Sequence, residues 1–439
     1  SSLYLIYNLS SYLVLSSSIA ASILVYFFIS LIGHPSQKHG LPFPVLMRMS
    51  MGLNGARYLS LLRSIVGIFM FGIQTYFISK SITYLTRIII YYIFDPQILE
   101  SEFVLEFFLG LNVIDWFSLI VTFFIQFFLF TNGQRYNQGF LKFSAIFVYF
   151  GLIFFFVMLI AENSTQIFQS LKSNTTSTNL ISKSNVMPFF ILTGTIFSYF
   201  SIVLLNYGDF SRYVKTSRDL KIGNLFLFLN MIIFSFLATT IVIGVDVLLN
   251  QKLIVVDQIM TRPMDIIGKI DNLYLTVYAL IFIIFSSLST NLITNYVPTQ
   301  NSIINFLPKN LELKSAGILI LIFGLITGSL WPSILSQIEI IKLIDSLAAF
   351  FGPIFGVIIA DYYLVKKEKV NHKDLFFIRL ENEYIYSGGW NYKAVYAVLI
   401  GFIFSFSIIW NINFEDFKTY SWIIGFVVSY IMYYLLNEK

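Results

Sequence analysis

The chain has 439 residues, of which 57% are hydrophobic and 12% charged, with no cysteine, three histidines and a formal net charge of +5. Zero cysteines exclude a disulfide framework, thiolate metal sites and cysteine nucleophiles, and three histidines leave little for a zinc or haem site. A mean hydropathy of +0.78 is more than any water-soluble core requires, and no feature of the sequence points to nucleic acid.

Eleven nearly uncharged apolar runs follow one another at 12–33, 59–92, 113–131, 140–161, 187–206, 225–248, 273–296, 316–331, 341–364, 394–410 and 420–435. About 20 residues in a helix cross a hydrocarbon core about 30 Å thick. Membrane barrels need short alternating segments, whereas these runs are continuously apolar, so an all-α polytopic membrane protein is expected, surrounded by lipid. The whole of 1–439 then forms one transmembrane domain. Ser1 replaces the usual Met, and the first eight residues read as the tail of an apolar segment, so a truncated N-terminus is expected. Run 59–92 is too long for an upright crossing. It carries Lys80 and Arg87 near one end, which predicts a tilted helix whose basic side chains snorkel to the interface. The Ser, Thr and Asn of 162–186 predict a solvated external loop, whose Asn163 and Asn174 sequons are expected by chance in such a composition.

Basic residues set the sidedness. Loops 34–58, 132–139, 207–224, 297–315 and 365–393 hold about sixteen Lys and Arg, against about six in the alternate set, so the first set is cytoplasmic by the positive-inside rule. The C-terminus is then cytoplasmic, and the plasma or inner membrane is the expected location.

Polar side chains at membrane depth are candidate functional groups, although many only join helices. Run 273–296 is the richest. Ser286, Ser289 and Thr290 fall on one helical stripe with Ile293, so two hydroxyls and a carbonyl can converge on a hard cation. Asn295, on a neighbouring face, can both donate and accept, as an amide-bearing solute requires. Gly67, Met70 and Gln74 share a face of run 59–92, with Gln74 near mid-membrane. Thr193-Gly194-Thr195 and Asn206-Tyr207-Gly208 flank Phe200 in run 187–206, where glycines predict an interrupted helix. Asp209 with Arg212, three residues apart, predicts a salt bridge or helix cap, and Asp361 is expected to be structural.

Six short motifs occur in order: Gly40-Leu41-Pro42-Phe43-Pro44-Val45-Leu46 with Arg48, Phe71-Gly72-Ile73-Gln74, Asn206 to Tyr213, Ser289-Thr290-Asn291, Gly352-Pro353-Ile354-Phe355-Gly356 with Ala360-Asp361-Tyr362-Tyr363, and Tyr386-Ser387-Gly388-Gly389. On these, from about Tyr12 to Tyr396, the chain resembles the nucleobase–cation symporter family, carriers of hydantoins, allantoin, cytosine, uracil and related rings. The resemblance implies the LeuT-like inverted-repeat transporter fold: residues 12–206 holding the rest of the first repeat and the start of the second, 187–364 the second repeat, and 394–435 two appended helices. Run 12–33 becomes the second helix, and most of the first is expected to be missing. Ser289 and Thr290 with the Ser286 carbonyl become the retained half of a sodium site, and Gln74 and Asn295 the hydrogen-bonding partners of the solute. Met70 and Phe200 stand where the hydantoin carrier has stacking tryptophans, which favours a smaller amide-rich ring such as allantoin, uracil or cytosine.

The expected activity is cation-coupled uptake of such a ring by alternating access, driven by Na⁺ or H⁺ and needing no other cofactor. The sequence leaves the oligomeric state open. A transport-inactive receptor or partner subunit, or a same-fold amino-acid carrier, are the alternatives. An enzyme is not expected, because no run carries a nucleophile–base pair or metal-ligand cluster.

Overall fold

Backbone N–H and C=O groups in lipid must be satisfied within their own segment, so apolar runs of this length become helices. A computed structural model describes residues 11–176, 183–251, 272–337, 345–376 and 383–438. Eleven candidate membrane spans occur among them. The helices are α1 (Ser11–His39), α2 (Phe43–Ile93), α3 (Val113–Phe130), α4 (Gln134–Thr176), α5 (Lys183–Asn206), α6 (Ser217–Gln251), α7 (Leu273–Asn291), α8 (Val297–Phe306), α9 (Leu313–Leu330), α10 (Phe351–Ala360), α11 (Tyr392–Trp410) and α12 (Ser421–Asn437). A short antiparallel pair, Phe107–Phe108 with Leu111–Asn112, lies between α2 and α3.

Two helix groups face each other. α1 packs most heavily on α5 and α6, whereas α2 packs on α3, α7, α8 and α9. α4 joins the groups through α6 and α7, and α10 packs on α12, which packs on α11. Phe28, Phe197, Phe355, Trp422 and Phe426 interlock where α1, α5, α10 and α12 meet, at ring separations of 5.0–6.1 Å.

Residues 34–58 are not a loop. α1 continues through Pro35, whose missing N–H leaves the Leu31 carbonyl free, and the Tyr363 hydroxyl donates to that oxygen at 3.0 Å. Gly40, at φ +69, then ends the helix in the left-handed conformation that glycine tolerates, and Pro42 starts the next. α2 is kinked at Gly52, φ +81. The Gly389 carbonyl accepts from Asn54 N at 2.8 Å, and Asn391 N donates to Met51 O at 3.1 Å, so the segment around Ser387 to Asn391 satisfies groups freed by the kink. A Cβ at Gly52 would lie 2.5 Å from the Gly389 oxygen.

Lys80 has a specific partner at the start of α3. Its ammonium lies 2.9 Å from the buried carboxylate of Asp115, which also accepts from Thr83 Oγ1 and closes the capping box of α3 with Asn112. The expected external loop is also shorter than expected, since α4 runs on to Thr176. Each Ser, Thr or Asn costs an established helix only about 0.7 kcal/mol or less, too little to stop propagation. Residues 177–182 lie outside the described ones. α5 is continuous through Thr193-Gly194-Thr195, and Gly194 serves close packing instead, its position facing Thr419 and Tyr420.

Candidate functional site: an amide ladder between α2 and α7

The interruption expected at Asn206-Tyr207-Gly208 is present, since α5 ends at Asn206 and a short separate helix, Gly208–Ser211, follows; a further irregularity lies at the end of α7. Residues Leu292–Tyr296 form a π-helical turn before α8, and such an inserted residue re-aims the side chains around it. Asn291 and Asn295, four residues apart, face α2 together. Asn295 Nδ2 donates to Asn291 Oδ1 and to Gln74 Oε1, both at 2.9 Å. Gln74 Nε2 donates to the Ser287 carbonyl at 3.3 Å. Behind them Asn291 Nδ2 reaches the Phe71 carbonyl at 3.3 Å and Thr75 Oγ1 at 3.4 Å, and the Thr75 hydroxyl donates to Gln126 Oε1 at 3.1 Å. Asn291, Thr75 and Gln126 are fully buried, whereas Gln74 is half-buried. The structure therefore brings Gln74 and Asn295 together as the outer rung of a ladder of amides and a hydroxyl. Of the inner members the sequence marked Asn291 through its motif, but not Thr75 or Gln126, where a buried amide or hydroxyl looks like any helix-joining group.

Met70, one turn before Gln74, and Phe200 on α5 both pack, partly buried, against the main apolar cluster that contains Phe69, Leu204, Trp331 and Phe351. Ser289 Oγ and Thr290 Oγ1 each donate to the Ser286 carbonyl at 2.9 Å. Both hydroxyl protons are turned onto the helix backbone, the ordinary back-bond of Ser and Thr within a helix. Among the described residues no group of three or more His, Asp or Glu could hold a metal ion.

Arg63 was missed, although its spacing gave a signal: 63, 67, 70 and 74 lie on one face of α2. It is 1% exposed. Nε donates to Asn206 Oδ1 of α5 at 2.7 Å, a terminal nitrogen donates to the Thr294 carbonyl of the π turn at 3.0 Å, and the guanidinium lies 5.8 Å from the Phe351 ring centre. Gly67 makes room for it, since a Cβ there would lie 2.6 Å from an Arg63 nitrogen. Asn206 in turn donates to Asp209 at 3.3 Å, and the other oxygen of Asp209 accepts from Phe43 N at 3.0 Å. Asp209 is thus a helix cap, as the sequence allows, but of α2 rather than of its own helix. Burial pushes its carboxyl up to about 6, against the opposing pull of Arg212 and of the Phe43 and Asn206 donors. Asp361 is structural, as expected: it accepts from Tyr433 at 2.7 Å and pairs with Lys366 at 3.3 Å.

The family described as permeases for cytosine/purines, uracil, thiamine and allantoin matches residues 1–431. The chain is 26% identical to the allantoin permease of Bacillus subtilis, over 98% of this chain and 84% of that protein. It is also 26% identical to the purine-uracil permease NCS1 of Arabidopsis thaliana, over 89% of this chain and 62% of that one. Among solved structures it resembles Mhp1, a nucleobase-cation-symport-1 family transporter, closed with bromovinylhydantoin bound: TM-score 0.73, 16% identity, covering 98% of this chain and 85% of Mhp1. A Na⁺-coupled sialic acid symporter gives a TM-score of 0.61 at 14% identity, covering 99% of this chain and 87% of that one. The fold is therefore the LeuT-like inverted-repeat transporter fold, the protein is an integral membrane protein, and the chain belongs to the family of permeases for cytosine/purines, uracil, thiamine and allantoin.

Proposed function

We propose that the protein takes up a small amide-rich ring of the allantoin, uracil or cytosine type across the plasma membrane, driven by a cation gradient, with its C-terminus cytoplasmic. The observation that carries the reading is the outer rung, Gln74 with Asn295. Two primary amides that satisfy each other can exchange that bond for the adjacent N–H and C=O of an imide or ureide, so a solute of that pattern enters without stranding a polar group. Met70 and Phe200 would hold the faces of the ring. Permease names among the relatives support the solute class, and the Na⁺-coupled structural neighbour supports a coupling ion. Na⁺ would be held by Ser289 Oγ, Thr290 Oγ1 and the Ser286 carbonyl once the two hydroxyl protons turn away. The two repeats would divide the chain as 12–206 and 187–364, with 394–435 appended.

Uptake of labelled allantoin, uracil and cytosine into proteoliposomes under inward Na⁺ or H⁺ gradients tests this. One of them should accumulate against its gradient and collapse when the ion gradient is dissipated. Thr290→Ala should raise the sodium needed for half-maximal uptake by about tenfold or more while leaving solute affinity at saturating sodium nearly unchanged, because ion and solute are linked. Unaltered sodium dependence in the Ser289→Ala/Thr290→Ala protein would return these hydroxyls to helix packing.

A further inference from the structure

A cavity lined by both apolar and polar side chains lies away from the amide ladder. It measures about 280 Å³ and is bounded by α5, by the turn leading into α10, and by the ends of α11 and α12. Asp345 and Lys418 both line it. They attract each other, yet neither closes an ion pair among the described residues. Ser198 and Ser201 line it as well, and their protons are already committed to the Thr195 and Ser198 carbonyls at 2.8 and 2.7 Å. Their oxygens therefore offer only lone pairs. The cavity presents acceptors on Asp345, Ser198 and Ser201 and donors on Lys418, Thr419 Oγ1 and Trp422 Nε1, the last two buried without a partner among the described residues, with Ala348, Ala349 and Ile409 as an apolar side.

That chemistry asks for a small compound with several N–H groups and several carbonyls. A bare cation is disfavoured by Lys418, and a bare anion by Asp345. Phe200 lies between the two serines in sequence, so the cavity and the apolar contact proposed for the solute sit on the same turn of α5. We propose that this cavity is a second, outer binding site for an N–H-rich ureide or amino-heterocycle, engaged before the solute reaches Gln74 and Asn295. Asp345 accepts its N–H groups, Lys418 donates to one of its carbonyls, and the serine oxygens take the remaining protons. The assignment of the solute class rests on the function proposed above. The location of the site does not.

Titration of the purified full chain with allantoin, and separately with uracil, followed by tryptophan fluorescence tests it, because Trp422 lines the cavity. The Asn295→Leu protein should retain a response to allantoin that Trp422→Phe removes. Adding Lys418→Gln, at an exposed position, or Asp345→Asn should weaken that response at least tenfold. A single titration abolished by Asn295→Leu and indifferent to Lys418→Gln and Asp345→Asn would overturn the outer site while leaving the permease intact. The same holds if neither solute gives a response from Trp422 in a preparation that accumulates allantoin in proteoliposomes. A response that follows the phosphatidylethanolamine content of nanodiscs instead of solute would assign the cavity to a lipid headgroup and overturn the proposal. An intact Trp422 response without uptake would instead overturn the transport reading and leave the site standing.

Discussion

The bond between Asn295 and Gln74 fixes what a ring must offer to bind there. Asn295→Leu keeps the volume but leaves Gln74 Oε1 and the inner Asn291 oxygen without their donor. Losses of about 1–3 kcal/mol follow for an unsatisfied buried partner, or roughly ten- to hundredfold in affinity, and selectivity for an imide over a ring lacking one should vanish. Competition binding reads both, and normal selectivity would remove Asn295 from the site. Asp209 carries a different prediction. Its carboxyl sits near 6, above the ordinary 3.8, so the fold favours the protonated form. Stability from this group is then fully present below about 4 and is lost as pH rises through about 6, by about 3 kcal/mol at most. Melting of wild type and Asp209→Asn between pH 4.5 and 7.5 should show the wild type falling progressively behind the variant toward neutral pH. A constant difference would mean the Phe43 and Asn206 donors outweigh burial.

α2 crosses α9 closely at Gly72, Gly324 and Gly328, with the Phe71 ring seated on Gly324. A Cβ at Gly328 would lie 2.8 Å from the Gly72 carbonyl, and one at Gly72 would lie 2.7 Å from the Gly324 carbonyl. Backbone cannot yield as a side chain can, so Gly328→Ala should force the helices apart and destabilise by about 1–3 kcal/mol. Gly139 in α4 has nothing within 4 Å of its would-be Cβ, and Gly139→Ala should be neutral or gain up to about 1 kcal/mol from helix propensity. Thermal melts of the two variants decide it, and equal effects would mean the crossing is loosely packed. The same contrast explains what was legible at this scale. Run length and hydropathy located each of the candidate crossings among the described residues, because lipid permits only one response to a long apolar segment. Helix ends were poorly legible, since α1 overruns Pro35 and α2 overruns Gly52 only because Tyr363 and the Gly389 carbonyl, distant in sequence, take up the freed groups. The polar residues of α7 could be picked out, but not the π turn at Leu292–Tyr296.

Alternating access requires the group of α1, α5 and α6 to move against the group of α2, α3 and α7 to α9, a motion whose small differences in free energy are set by contacts between groups. Arg63 is such a contact: rooted in α2, it holds Asn206 of α5 with Nε and the π turn with a terminal nitrogen, and Asn206 passes the link to Asp209 and the start of α2. Separation of the groups at this end must break the Arg63–Asn206 bond and leave a buried guanidinium half-satisfied, which weights the population toward the joined state. Arg63→Gln removes the charge and the reach, and Asn206→Ala breaks the link from the other side. If the link contributes about 1–3 kcal/mol, either variant should raise the open population roughly ten- to hundredfold. The chain has no cysteine, so Ser211→Cys gives a reporter without background, at a position buried beside Asp209. Its reaction with a membrane-impermeant maleimide in inside-out vesicles should accelerate by that factor in both variants while their melting temperatures stay within a few degrees of the parent. Unchanged labelling in properly folded Arg63→Gln and Asn206→Ala proteins would mean the link is packing alone, and the barrier between the two helix groups would have to be sought at the α10–α12 aromatic junction instead.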